Sequence, residues 1–124
     1  MTLFDECKEA LSSDFSVVQG QDEKEATNIL HKYPFTNGNI AWTELEYSDY
    51  EDINGILKDG NIKNKNVYVF ADDANIPVFK SNLPLIAENI YDVTALSTKL
   101  FIFNDELILQ PLFPTEIFRL GINR

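Results

Sequence analysis

Asp72-Asp73, one residue past the apolar run Val67-Tyr68-Val69-Phe70, are the residues best suited to chemistry. Two carboxylates at the end of a buried strand could hold a magnesium ion on an open α/β sheet. Aspartates at strand ends also stop strands by accepting hydrogen bonds from turn amides, and a receiver-like domain would carry its acidic pair after the first strand, not past mid-chain. The single histidine, His31, stands beside Lys32 with no Cys, Asp or Glu at metal-ligand spacing, and reads as structural. The single cysteine excludes an internal disulfide, and its setting among Leu3, Phe4, Ala10 and Leu11 makes Cys7 a small core hydrophobe. A G-x-S-x-G elbow, a glycine-rich phosphate loop and a C-x-x-C pair are all missing, so acyl transfer, nucleotide hydrolysis and structural zinc lack their signatures. No catalytic residue, metal ligand or cofactor is expected.

A denser constellation follows Trp42. Glu44, Glu46, Tyr47, Asp49, Tyr50, Glu51 and Asp52 alternate acids with aromatics, and no basic residue intervenes. Aromatic rings supply rigid contact area, and carboxylates pair with Lys or Arg of a cationic partner, so the segment reads as an interface. Acids at a helix start are also favoured by the helix dipole, and Trp42 could belong to the core, which would leave Tyr47 and Tyr50 as the aromatic contribution. Asp72, Asp73 and Asp105 form a second candidate surface.

These residues need elements to position them. Thr2 and Asp5 cap a helix to about Leu11, and Phe15 to Val18 has strand character up to Gly20. Asp22 and Glu25 resemble a capping box for a helix whose apolar stripe Ala26, Ile29, Leu30 and Tyr33 ends at Pro34. Asn37-Gly38 is a turn before the strand-like Asn39 to Trp42. Ser48 to Gly60 reads as a third helix with an acidic first turn, and after the polar loop Asn61 to Lys65 comes the strand Val67 to Phe70. Ile76 to Phe79 reads as an edge strand because Pro77 lacks a donor. Asn82 or Ser81 caps a helix with the stripe Leu83, Ile86, Ala87, Ile90 and Val93. Lys99 to Phe103 and Glu106 to Leu109 flank Asn104-Asp105 as a hairpin. Phe113 to Ile122 is either helix or strand. The fold class expected is α/β in the broad sense (α+β): a mixed, partly antiparallel sheet with packed helices in a single domain over residues 1–124.

Hydrophobic residues make up 44% of the 124, which excludes a disordered acidic tail. Twenty acidic residues against ten basic give a formal charge of −10, which disfavours nucleic acid and anionic membranes as partners and speeds encounter with a basic protein. Without a basic, apolar leader or a long apolar run, the chain is expected in the cytoplasm.

With the acidic-aromatic segment 42–52, the segment Ile76-Pro77-Val78-Phe79-Lys80-Ser81-Asn82-Leu83 and the aromatic hairpin around Asn104-Asp105, the chain resembles the immunity proteins of bacterial contact-dependent growth inhibition. The resemblance spans most of the chain and includes no diagnostic motif. It implies a cytosolic antitoxin that binds the C-terminal toxin domain of a cognate effector, often a nuclease, in a one-to-one complex. Two alternatives stay open: a carboxylate metalloenzyme using Asp72 and Asp73, and an acidic nucleic-acid mimic.

Overall fold

Residues 2–59 and 62–123 are described by a computed structural model. In chain order they form α1 (Leu3–Ala10), β1 (Ser16–Val17), α2 (Gln21–Leu30), β2 (Phe35–Thr36), β3 (Asn39–Ile40), a 3-10 turn (Trp42–Glu44), β4 (Glu46–Tyr50), α3 (Ile53–Asp59), β5 (Asn66–Ala71), β6 (Phe79–Asn82), α4 (Leu83–Glu88), α5 (Ile90–Thr94), β7 (Leu100–Phe103), β8 (Leu107–Pro111) and β9 (Phe118–Ile122). Seven strands make one sheet in the order β1-β6-β5-β7-β8-β9-β4, and β2 and β3 pair separately. Every pairing is antiparallel, so the α+β class holds.

The sheet is covered on both faces. In strands, successive side chains point to opposite sides, and here each side has its own apolar cluster. Val67, Val69, Phe79, Ile102, Leu109 and Leu120 pack with Cys7, Leu11, Ile56, Leu83, Ile86 and Val93, so α1, α3, α4 and α5 cover one face. Phe101, Phe103 and Ile108 pack with Ala26, Leu30, Tyr33 and Ile40, so α2 and the β2–β3 hairpin cover the other. The central strand β7, Leu-Phe-Ile-Phe, is buried at every position because it feeds both clusters. Each such fully buried side chain contributes about 1.5–3 kcal/mol of transfer free energy. Cys7 lies wholly inside, as its setting implied, and burial with the nearby Asp92 charge pushes its thiol up to about 11.

Several local expectations hold. The Asp5 amide donates to Thr2 Oγ1 at 3.1 Å while the Thr2 amide donates to Asp5 Oδ2 at 3.2 Å, a reciprocal cap. Asn37 (φ 54) and Gly38 (φ 79) take the left-handed backbone that a two-residue turn between β2 and β3 requires. The Leu85 amide donates to Asn82 Oδ1 at 2.9 Å, capping α4.

Others are corrected. The second helix starts at Gln21 after Gly20 (φ 60), with no side-chain cap, so Asp22 lies inside the first turn, where the dipole favours it. Ser48, Asp49 and Tyr50, expected as the start of the third helix, are strand, because residues 46–50 ladder with β9 from Glu46↔Ile122 to Tyr50↔Phe118. The third helix therefore begins at Ile53, and Asp52 Oδ1 accepts from the Asn54 amide at 2.8 Å. The stop expected at Gly60, and Asn61 after it, lie outside the described residues. The strand expected at Ile76 starts only at Phe79, past Pro77, and β6 is flanked by β1 and β5 instead of forming an edge. The stripe Leu83 to Val93 is divided between α4 and α5 at Asn89, whose Nδ2 donates to the Leu85 carbonyl at 3.0 Å. The β7–β8 register, with Phe103 opposite Ile108, places the turn at Asp105-Glu106, one residue later than expected. Asn104 causes the slip: it is 4% exposed, and its Oδ1 accepts from the amides of Glu106 (2.8 Å) and Leu107 (3.0 Å). The last segment, open between helix and strand, is strand β9 from Phe118.

Candidate interaction surface

Strand alternation divides the acidic-aromatic segment between the two faces of β4, an edge strand exposed at all positions but Tyr50. Tyr47 and Asp49 share a face with Arg119, which stands opposite Asp49 in register. Arg119 Nε donates to Asp49 Oδ1 at 2.7 Å and Nη2 to Oδ2 at 3.0 Å, a bidentate fork. The same guanidinium lies 4.4 Å from the Tyr47 ring centre and 5.6 Å from that of Trp42, and the two rings meet edge to face at 5.6 Å. The hydrogen bond from Arg119 holds the Asp49 carboxyl below the usual carboxylate range, and Asp49 in turn pushes the arginine up. Asp49 is thus engaged by a cation of its own chain.

Trp42 is half-buried, with Nε1 donating to Gln110 Oε1 at 3.3 Å. Its ring sits over Gly121, where an added Cβ would come within 2.9 Å of the indole. Tyr50 points the other way and packs on the helix-covered core, and a Cβ at Gly55 would lie 3.3 Å from its ring. Of the remaining acids in the segment, Glu44, Glu46, Glu51 and Asp52 are exposed.

Asp72, Asp73 and Asp105 are not brought together. Ala71, which precedes Asp72, pairs with Leu100 at the start of β7, whereas Asp105 follows the end of β7, so the pair and the single residue lie at opposite ends of the sheet. Asp73 Oδ1 accepts from the Asn75 amide at 2.9 Å, the turn-forming role. Among the described residues no three His, Cys, Asp or Glu side chains are placed to hold a metal ion. His31 is exposed, its ring edge-on to Phe35 at 6.4 Å. No helix among the described residues is long and apolar enough to cross a membrane.

A feature that sequence reading missed is a groove of about 600 Å³ between the start of α3, the α4–α5 corner and the loop before β9. Ile53, Ala87, Leu100 and Phe118 reach it from the core. Glu51, Asp52, Glu88 and Glu116 stand around it together with Tyr91 (75% exposed) and Phe113 (69% exposed), and among the described residues no lysine or arginine lines it. Its residues come from three stretches far apart in sequence, and the only local signal was Glu51-Asp52.

No curated protein matches the chain with significance. The sequence model of the family described as "CdiI immunity protein EcoliA0-like" matches residues 1–121. A match along nearly the whole sequence leads to one assignment: the chain belongs to the CdiI immunity protein family.

Proposed function

We propose that this immunity protein acts as one domain in the cytoplasm, binding the C-terminal toxin domain of its cognate contact-dependent inhibition effector one to one and neutralising it without catalysis. The toxin domain is a basic nuclease. The observation that carries the reading is the family match over residues 1–121, and the formal charge of −10 supports the choice of a cationic partner. A nuclease holds phosphates with Lys and Arg, and carboxylates placed over those groups compete directly with substrate. At 4 Å and an effective dielectric of 20, one such pair is worth about 4 kcal/mol before desolvation, and close interfacial pairs couple by about 1.5–7 kcal/mol. Glu44, Glu46, Glu51 and Asp52 supply carboxylates along the β4 edge and Tyr47 an aromatic contact, while Asp49 and Tyr50 chiefly hold the strand to Arg119 and to the core.

Titration calorimetry with the purified toxin domain, with stopped-flow mixing for the association rate, tests this. The expected result is saturation at one equivalent, with an association rate that falls steeply as salt rises. Equal binding to several unrelated basic proteins would instead mark a nucleic-acid mimic, and no binding to the cognate domain would overturn the reading.

A further inference from the structure

We infer that the groove bordered by Tyr91 and Phe113, which meets the β4 edge at Glu51 and Asp52, belongs to the toxin-docking site and takes a lysine- or arginine-bearing segment of the toxin domain. This rests on the immunity reading above and extends its contact face beyond the β4 edge. Four acids alone would be an ordinary solvated surface. Here they surround a concavity, Glu51 and Asp52 on one side, Glu88 at the end of α4 and Glu116 on the loop before β9. Glu51, Glu88 and Glu116 are exposed, and their carboxylates make no hydrogen bond or ion pair with another described residue, in contrast to Asp49.

The aromatic rims are the second, separate observation. Only four large hydrophobics stand exposed among the described residues, and the two most exposed, Tyr91 and Phe113, border this one groove. Both are held by backbone that is already ordered. The Leu112 amide donates to the Ile117 carbonyl at 2.9 Å and the Thr115 amide to the Leu112 carbonyl at 2.8 Å, closing the loop that carries Phe113. The Asn89 carbonyl accepts from Asp92 at 3.1 Å and Val93 at 3.3 Å, starting the turn that carries Tyr91. Presented this way, binding has to order only the side chains of the rings and not the backbone beneath them. Flat rings also accept the stem and head of Lys or Arg through cation–π contact, so rings and carboxylates select the same partner chemistry. A second copy of this chain fits poorly, because it would bring like charges into the groove.

The experiment measures binding of the purified C-terminal domain of the effector whose reading frame adjoins that of this chain, with circular dichroism confirming that each variant is folded. Tyr91→Ala with Phe113→Ala, and separately Glu88→Lys with Glu116→Lys, are each expected to weaken binding by about 100-fold or more, as loss of interface hot spots does. Glu9→Lys with Glu25→Lys, exposed acids on α1 and α2, makes the same change in net charge and is expected to cost less than about 5-fold. Groove variants that bind no worse than this control would overturn the groove while leaving the immunity reading standing. A wild-type chain that does not bind the domain would overturn both. Self-association abolished by Tyr91→Ala with Phe113→Ala would assign the groove to a second copy instead, against the proposal.

Discussion

Replacing Asn104 with alanine tests how this fold is held at a buried polar crossing point. The side chain makes four hydrogen bonds: Oδ1 accepts from Glu106 and Leu107, and Nδ2 donates to the carbonyls of Asn64 and Asn66 at 2.9 Å each. Its own carbonyl accepts from the Tyr33 hydroxyl at 2.7 Å, and burial pushes that phenol well above its usual range. One residue therefore ties the segment after α2, the entry to β5 and the β7–β8 turn together. In Asn104→Ala the Leu107 amide, the most deeply buried partner, loses one acceptor, while Asn64 and Asn66 are exposed and rehydrate. An unsatisfied buried group costs about 1–3 kcal/mol and each of the three remaining bonds about 0.5–1.5 kcal/mol net, about 2.5–7.5 kcal/mol in all; rehydration of the exposed partners puts the loss near the lower end, about 3 kcal/mol. Against a typical stability of about 5–15 kcal/mol this is a large fraction, and it corresponds to a fall in Tm of about 10 °C. Urea unfolding measures it, with a lower midpoint at unchanged slope expected. A loss below about 1 kcal/mol would refute the claim that the asparagine is a structural crossing point.

Two further outcomes follow from the β4–β9 edge. Gly121→Ala puts a methyl 2.9 Å from the Trp42 ring and 3.2 Å from both Ile108 and Leu45. It should destabilise by about 1–3 kcal/mol and shift tryptophan emission as the indole moves outward, readable in one denaturation series. Asp49 titrates lower in the folded chain than in the unfolded one, so its contribution is full above the ordinary carboxylate range, about 3.9, and is lost as pH falls through the depressed folded value. Asp49 is 40% exposed and Arg119 24%, which keeps the contribution below about 1 kcal/mol. The stability difference between wild type and Asp49→Asn should accordingly shrink from pH 7 towards pH 3, and a difference that grows on acidification would contradict the pairing.

Elements set by local chemistry could be read from the sequence. The Thr2–Asp5 cap, the Asn37-Gly38 turn and the Asn82 cap each depend on groups within three residues of one another. What failed depended on distant partners. Residues 48–52 look like the acidic opening of a helix until β9, some seventy positions later, offers its backbone, and only that ladder makes Ser48 to Tyr50 part of a strand. The turn at Asp105-Glu106 is displaced because Asn104 bonds to Asn64 and Asn66 across the sheet as well as to its own turn. The candidate site behaved likewise. Its acids and tyrosines were visible as a run, but strand alternation sent Tyr50 inward and a remote arginine took Asp49. The groove joins Glu51, Glu88 and Glu116, which no sequence spacing connects.

Growth of bacteria that produce the cognate toxin domain, with and without this chain, tests the central claim most directly. Cells making both should grow as well as cells making neither, and cells making the toxin domain alone should stop. Arrest that persists while the folded chain is abundant would contradict the account.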